Sequence, residues 1–495
     1  MNIYDTLVKS AIEYPDKNAV KSADQCYTYK GMLEYSMQLA GHLLNLGLPK
    51  KAKAIIYLND SAEFVAALYG INIAGMVFVP VSLQSKDIRL QEIIMHSGAE
   101  VIITSGKMLE NIDSIDTKEI PTLKKIVLLE DFTQSEKLKA KLDISSVCYV
   151  QGKASDVTCQ DWAEDEMAAI FYMTDKTGKP KGIMLSTRNV VSNMEAIIDY
   201  LKMTSKDNLL ILKPMAIVGT VTGEIIASMA VGATIVILSG MIHAGIILKA
   251  IQDYKITGFF AIPLMLHQII EYKRKEKYST DSLRYIQTGA AKLMKEDVDQ
   301  LMDMYKGVEF YYIYGLSEAS PRVLCLKPDE MIRKVGSVGK PIKNCTVNLY
   351  DANKNVPEAG NLGELYVKGQ NVMLGYYNSL ELTRQVLTEY GLKTGDLAYM
   401  DEEGYVYLAG RADNMINQGG FHVYPAEIEK VIIRNKKVKE VKVEGIPDQL
   451  LGSKIKATVV PKEGTSLTAE DIYEFCYTHI EGSKIPKVIE IKTIQ

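Results

Sequence analysis

The sequence predicts an α/β protein, a large N-terminal domain of layered α/β subdomains with parallel sheets and a small α+β domain at the C-terminal end. Three observations carry this. Apolar, β-branched runs (AKAIIYL, MVFVPVS, AEVIITS, KKIVLLE) recur along the first part of the chain. They read as near-continuous apolar segments rather than alternating ones, the mark of strands buried on both faces of a parallel sheet. Between them stand helical stretches such as SAEFVAALYGINIAG, the alternation that builds α/β layers. After Arg411 the texture changes to the charge-interrupted strands KVKEVKVEGI and SKIKATVVP with helices near 427–434 and 469–478. The expected division is therefore 1–410 and 411–495.

Each element follows from local chemistry. The polar stretch from Gln134 to Glu166 has no strong period and reads as a surface connection. Between Glu224 and Lys249 no charged residue occurs, long enough for a membrane span by the usual threshold of roughly 20 residues. Gly232-Ala233 interrupts that run, and ATIVIL after it reads as a buried strand, so no membrane partner is expected. Further on, Thr394-Gly395-Asp396 reads as a tight turn presenting a carboxylate able to take both hydroxyls of a ribose, and Gly404 as the turn of a following hairpin. Arg411, in Gly410-Arg411-Ala412-Asp413, offers a permanently charged fork for phosphate or ribose oxygens. Gly419-Gly420 opens the backbone ahead of a helix entered through Pro425.

Composition limits the function classes. With 495 residues, 47% of them hydrophobic, the chain can bury a large core in at least two domains. A net charge of -4 gives no reason to expect nucleic acid as a partner. The six cysteines are scattered without metal-ligand spacing, which suits reduced, buried thiols. The start MNIYDTLVKS has neither a basic region nor an apolar core, so the cytoplasm is the expected compartment. Oligomeric state is left open.

The run TGDLAYMDEEGYVYLAGRADNMINQGGFHVYPAEIE resembles the domain junction of the adenylate-forming superfamily, which includes acyl-CoA synthetases, peptide-synthetase adenylation domains and luciferases. Tyr14-Pro15-Asp16, Leu283-Arg284-Tyr285 to Gly289-Ala290-Ala291, Tyr314-Gly315-Leu316-Ser317-Glu318 and Gly363-Glu364-Leu365 with Gly375-Tyr376 follow in the family's order. The resemblance implies that the C-terminal domain is a mobile cap hinged at Asp413. It also implies an adenine-stacking face at Tyr314 and Gly315, a small-residue purine wall at Gly289, Ala290 and Ala291, and ribose contacts at Asp396 and Arg411. Glu318 is the implied Mg²⁺ carboxylate, Ser317 stands for the family's threonine, and Gly419 and Gly420 flank a pantetheine arm, with Asn417 where many relatives have lysine.

The triphosphate falls by resemblance to Thr174, Asp175, Lys176, Thr177 and Gly178, with Lys181 closing the motif; backbone N–H groups of such a loop suit phosphate. Asp175 replaces the family's glycine and Lys176 a hydroxyl residue. A carboxylate at about 4 Å from a phosphate oxygen costs roughly 4 kcal/mol at an effective dielectric near 20, unless the neighbouring lysines compensate. Two further departures concern the acid and the cap. Met215-Ala216-Ile217 stands where relatives carry an aromatic-histidine gate after proline. The chain ends at Gln495, before the family's final glycine-lysine motif; loss of that lysine from the developing charge would slow adenylation by about 10²–10³-fold.

The acid pocket should draw on Ile217, Val218, Thr220, Val221, Gln287 and the residues after Glu318, mostly apolar and without an Asp near Pro214 to meet an amino acid's ammonium group. The resulting expectation is an AMP-forming acid–thiol ligase, using ATP and Mg²⁺ to activate a fatty or aryl carboxylic acid and passing it to CoA or to the phosphopantetheine of a carrier protein. Two other readings stay open. One is an impaired relative that binds nucleotide or acyl-adenylate as a partner or sensor, favoured by Asp175 and the absent lysine. The other is an amide-forming ligase, since acyl-adenylates react readily with amines held close.

Overall fold

Four apolar runs singled out in the sequence become four neighbouring strands. In a computed structural model, which describes all residues except 24, 86, 114, 116, 131–142, 153–156, 176, 239, 292–294, 352, 412–414 and 493–495, Lys53–Tyr57, Val77–Pro80, Val101–Thr104 and Lys125–Leu128 lie in one eight-stranded sheet. They pair in parallel, Val77–Pro80 and Val101–Thr104 flanking Lys53–Tyr57. The helix Ala62–Ile73 is buried at every position but Glu63 and is capped at Ser61, whose hydroxyl accepts from Phe64 N at 3.4 Å. A helix apolar on every side belongs between layers.

A second, nine-stranded sheet stacks on the same core. Its centre is the parallel set Thr234–Ile237, Asn208–Ile211, Gly258–Phe260, Tyr285–Gly289 and Glu309–Gly315. ATIVIL is thus a buried strand, and among the described residues no helix is long and apolar enough to cross a membrane. Ahead of that strand the helix widens into a π-helical segment, Val221–Ile226, a feature that often marks a functional site.

Two sequence expectations are corrected here. Thr394-Gly395-Asp396 is not a tight turn but lies inside the strand Gly391–Met400, because that strand must reach the partner Val406–Arg411, with which Asp396 pairs opposite Arg411. Gly404 does sit in the intervening turn, at φ +83°. Within the presumed surface connection, Asp143–Ser146 is an edge strand and Trp162 is buried, its Nε1 donating to Asn72 O at 2.9 Å. Aromatic burial there overrides the polar local composition; residues 134–142 and 153–156 of the stretch lie outside the described ones. No disulfide joins any of the six cysteines, and only Cys325, Cys345 and Cys476 are buried, while Cys26 is exposed.

The C-terminal residues form their own sheet, Val438–Asp448 and Gly452–Pro461 as a long antiparallel pair with Val488–Ile491 and the short hairpin Ile416–Gln418 and Phe421–Val423. Helices Pro425–Ile432 and Ala469–His479 cover it, enclosing a separate core around Ile428, Ile455 and Ile472. A unit with its own core can move as a body.

Candidate active site

Strands Met167–Thr174 and Pro180–Ser186 are antiparallel neighbours, and the residues joining them make a hairpin turn at the mouth of a cleft of about 910 Å³. Asp175 holds this turn together. Its Oδ1 accepts from Thr177 N (2.8 Å), Thr177 Oγ1 (2.7 Å) and Lys179 N (2.9 Å), while Gly178, at φ +79°, donates to Asp175 O. The residue read as an electrostatic liability is therefore also the turn's internal cap. Burial pushes its carboxyl up, but the bonds from Thr177 and Lys179 outweigh that and leave it below the usual carboxylate range. Asp175→Asn should keep an acceptor for the turn while removing the charge, tightening MgATP about tenfold in a calorimetric titration. Asp175→Gly, losing both, should gain less. Equal gains from the two would show that capping is irrelevant. Thr174 is occupied in its turn: Arg89 Nη2 donates to its hydroxyl and to Met173 O, both at 3.0 Å. Lys176 lies outside the described residues.

Behind the turn, Lys181 Nζ reaches Glu318 Oε1 at 3.1 Å, and Tyr376 OH donates to the same oxygen at 2.8 Å. Burial alone would neutralise both charges. Instead Lys181 and the tyrosine hydroxyl hold Glu318 below its ordinary value, and the carboxylate holds Lys181 above its own. The result is an ionised pair with Tyr376 as its third member, a tyrosine to which the sequence analysis assigns no role. Ser317 heads the short turn Ser317–Ala319 and is not among the residues facing the cleft.

The opposite wall is built by close backbone approach. A Cβ on Gly289 would stand 2.2 Å from Ile313 O, and one on Gly315 only 1.8 Å from Pro321 O. Ala290 takes φ +69° and, with Ala291 and Tyr314, lines the cleft. At its edge Asp396 is already engaged on both oxygens, accepting from Tyr314 OH (2.5 Å) and Arg411 Nη1 (2.8 Å). The expected ribose acceptor is thus oriented by two of the other expected nucleotide residues, and a sugar hydroxyl would share it with them.

The cap roofs the cleft with its first hairpin. Asn417 Nδ2 donates to Ala290 O at 2.9 Å, and its Oδ1 accepts from Gly420 N. Gly420, at φ +93°, leaves only 3.2 Å between a Cβ and that of Ala290. Gly419 is turned aside, donating to Leu451 O. The helix that begins at Pro425 rests on the phosphate turn, where a Cβ on Gly178 would meet Ala426 O at 3.2 Å, and Lys430 pairs with Glu92 at 2.6 Å. Asp413 lies outside the described residues.

The residues expected to form the acid pocket depart furthest from the sequence reading. Ile217 is exposed, while Val218, Thr220, Val221 and Gln287 are buried, Gln287 accepting from Tyr200 OH at 3.0 Å. Their surroundings are not apolar. Lys213 and Glu224, 9% and 2% exposed, form an ion pair of 2.5 Å. Phe260 lies between two cations, with Lys213 Nζ 3.7 Å and the Arg322 guanidinium 4.9 Å from its ring centre. Burial, reinforced by Arg322 and only partly offset by Glu224, pulls Lys213 down to about 8. No sequence spacing announces this trio, because the three come from a strand end, a π-helical turn and the segment after Glu318.

Residues 7–377 match the AMP-binding enzyme family and residues 427–494 its C-terminal domain. The chain belongs to that family, within the acyl-CoA synthetase branch of the adenylate-forming superfamily, and is an enzyme of the ligase class. It is 28% identical over 515 residues to a long-chain-fatty-acid–CoA ligase of Bacillus subtilis, covering 98% of this chain and 90% of the relative. To a 2-succinylbenzoate–CoA ligase of Bacillus cereus it is 28% identical over 481 residues, 97% and 92% of the two chains. In structure it resembles a double mutant of o-succinylbenzoate CoA synthetase from Bacillus subtilis bound with a product analogue, with a TM-score of 0.84 at 23% identity over 100% and 95% of the chains.

Proposed function

We propose that the protein joins a carboxylic acid, fatty or aryl, to AMP and then passes the acyl group to a thiol, that of CoA or of a carrier protein's phosphopantetheine. The observation that carries this reading is the convergence on one cleft of Asp175, the Lys181–Glu318 pair, Ala290 and Ala291, and the Asp396–Arg411 pair, roofed by Asn417 and Gly420. The two sequence relatives, CoA ligases of a long-chain fatty acid and of 2-succinylbenzoate, support the reaction type and differ in the acid.

In the first step a carboxylate oxygen attacks the α-phosphorus and pyrophosphate leaves; in the second a thiolate attacks the acyl carbon and AMP leaves. Lys181 carries positive charge to the phosphate end of the cleft. Asp396, fixed by Tyr314 and Arg411, orients the ribose. Gly315, Ala290 and Ala291 offer a flat base a wall with little side-chain bulk, and Gly289 and Gly315 keep the strands that carry that wall close together. Glu318, a buried ionised carboxylate, fits a Mg²⁺ ligand, and the ion would supply further neutralisation of the phosphates. Asn417 and Gly420 line the roof by which a pantetheine arm would enter.

Acid-dependent exchange of pyrophosphate into ATP, run over a panel of fatty and aryl acids, tests the reading. Exchange with at least one acid, followed by thioester formation with CoA, is the expected result. Neither exchange nor thiolysis of a synthetic acyl-adenylate would overturn it.

A further inference from the structure

We infer that the acid activated here carries a second anionic group, a distal carboxylate, which Arg322 receives beside the Lys213–Glu224 pair at the floor of the acid pocket. This rests on the ligase reading above and names the substrate class of the same site.

The floor is placed by the strands. Arg322 pairs with Gly315 in register, so its backbone lies directly behind a residue that lines the cleft. Phe260, beneath the Lys213 and Arg322 cations, pairs with Gln287, one of the expected acid-pocket residues. Two residues beyond Phe260, Ile262 touches the cap's Gly420. The group therefore sits at the carboxyl ends of parallel strands, where open α/β sheets bind their ligands. Gly219 and Gly223, one helical turn apart, bring the helix close to these cations. A Cβ on Gly219 would stand 3.5 Å from Lys213 Nζ and 3.8 Å from Arg322 Nη1, and one on Gly223 3.4 Å from Arg322 Nη2.

Charge accounting then points to an anion. Lys213 and Glu224 form an ion pair, although neither Glu224 oxygen has a hydrogen-bond partner among the described residues; one carboxylate for two cations leaves the group with one net positive charge, and Arg322 is only 6% exposed. Its Nε and Nη2 have no hydrogen-bond partner among the described residues. Buried charges are ordinarily paired, and an unpaired one costs several kcal/mol. A carboxylate on the far end of the bound acid would meet those two N–H groups, which lie on one side of the guanidinium in the fork that matches a carboxylate. The same floor would desolvate an alkyl terminus against a charge, disfavouring simple fatty acids.

Binding can be read without turnover. Non-hydrolysable acylsulfamoyl adenosines would be made from straight-chain dicarboxylic acids and from carboxyalkyl benzoic acids, each beside its uncharged partner of matching length, and titrated by calorimetry. The charged member of at least one pair is expected to bind roughly 10- to 100-fold tighter. Arg322→Gln should reduce that ratio toward one, whereas Glu224→Gln, which adds net positive charge, should increase it. A merely structural role would not move the ratio in opposite directions. Equal or tighter binding of the uncharged member in every pair, with AMP still bound, would overturn this inference alone. Loss of AMP binding as well would overturn the ligase reading beneath it.

Discussion

Glu318→Gln should lower acid-dependent pyrophosphate exchange by about 10²–10³-fold, the usual cost of removing one preorganised charge from a site of phosphoryl chemistry. Gln retains an oxygen for Tyr376 and Lys181, so the loss would come from charge and not from shape. The substitution also leaves Lys181 buried without its counter-ion, and breaking such a pair costs about 3–5 kcal/mol. Both effects are separable. Urea denaturation reports the second, and exchange measured well below the unfolding midpoint reports the first. The pH response has a definite sign. Glu318 is held below its ordinary value of 4.5, so its contribution to stability is complete above that value and is lost as pH falls through the lower folded one. In the Gln variant that part of acid sensitivity should vanish. Exchange within threefold of the unaltered protein would remove Glu318 from the chemistry.

Gly315→Ala is the second large effect. The added methyl would lie 1.8 Å from Pro321 O and 3.0 Å from Arg322 Cα, both backbone atoms, so no side-chain rotation relieves it. The strand Glu309–Gly315 and its neighbour Arg322–Leu326 must separate, at a cost of about 3 kcal/mol or more, the upper end for overpacking. That separation moves Tyr314 off Asp396 and Arg322 off its floor. Nucleotide affinity should fall at least tenfold in an AMP titration, and the thermal midpoint should drop by several degrees. A thermal midpoint and AMP affinity both unchanged would mean that the two strands are not held at this spacing in solution.

Much of the site was legible because it depends on local chemistry. Gly289 and Gly315 are glycine for reasons that follow from strand crowding, and Asp396 and Arg411 stand in a fixed order along two paired strands. The parallel-sheet architecture was legible in the unbroken apolar runs. What escaped were residues whose meaning depends on partners far along the chain. Arg89 acts on Thr174 from a helix 85 residues earlier, and Tyr376 reaches Glu318 across 58 residues. The capping role of Asp175 is invisible in the sequence because its hydrogen bonds form within the turn only when the backbone is folded.

The sequence by itself determined the layered sheets, the separate core of the C-terminal unit and the set of residues available to hold a nucleotide, since apolar periodicity, glycine positions and motif order are properties of the chain. Only the tertiary structure decided the polarity around the residues expected to receive the acid. Lys213, Glu224 and Arg322 look unrelated in sequence, and their charges acquire a common meaning only when folding removes water from all three at once and sets two cations beside one carboxylate.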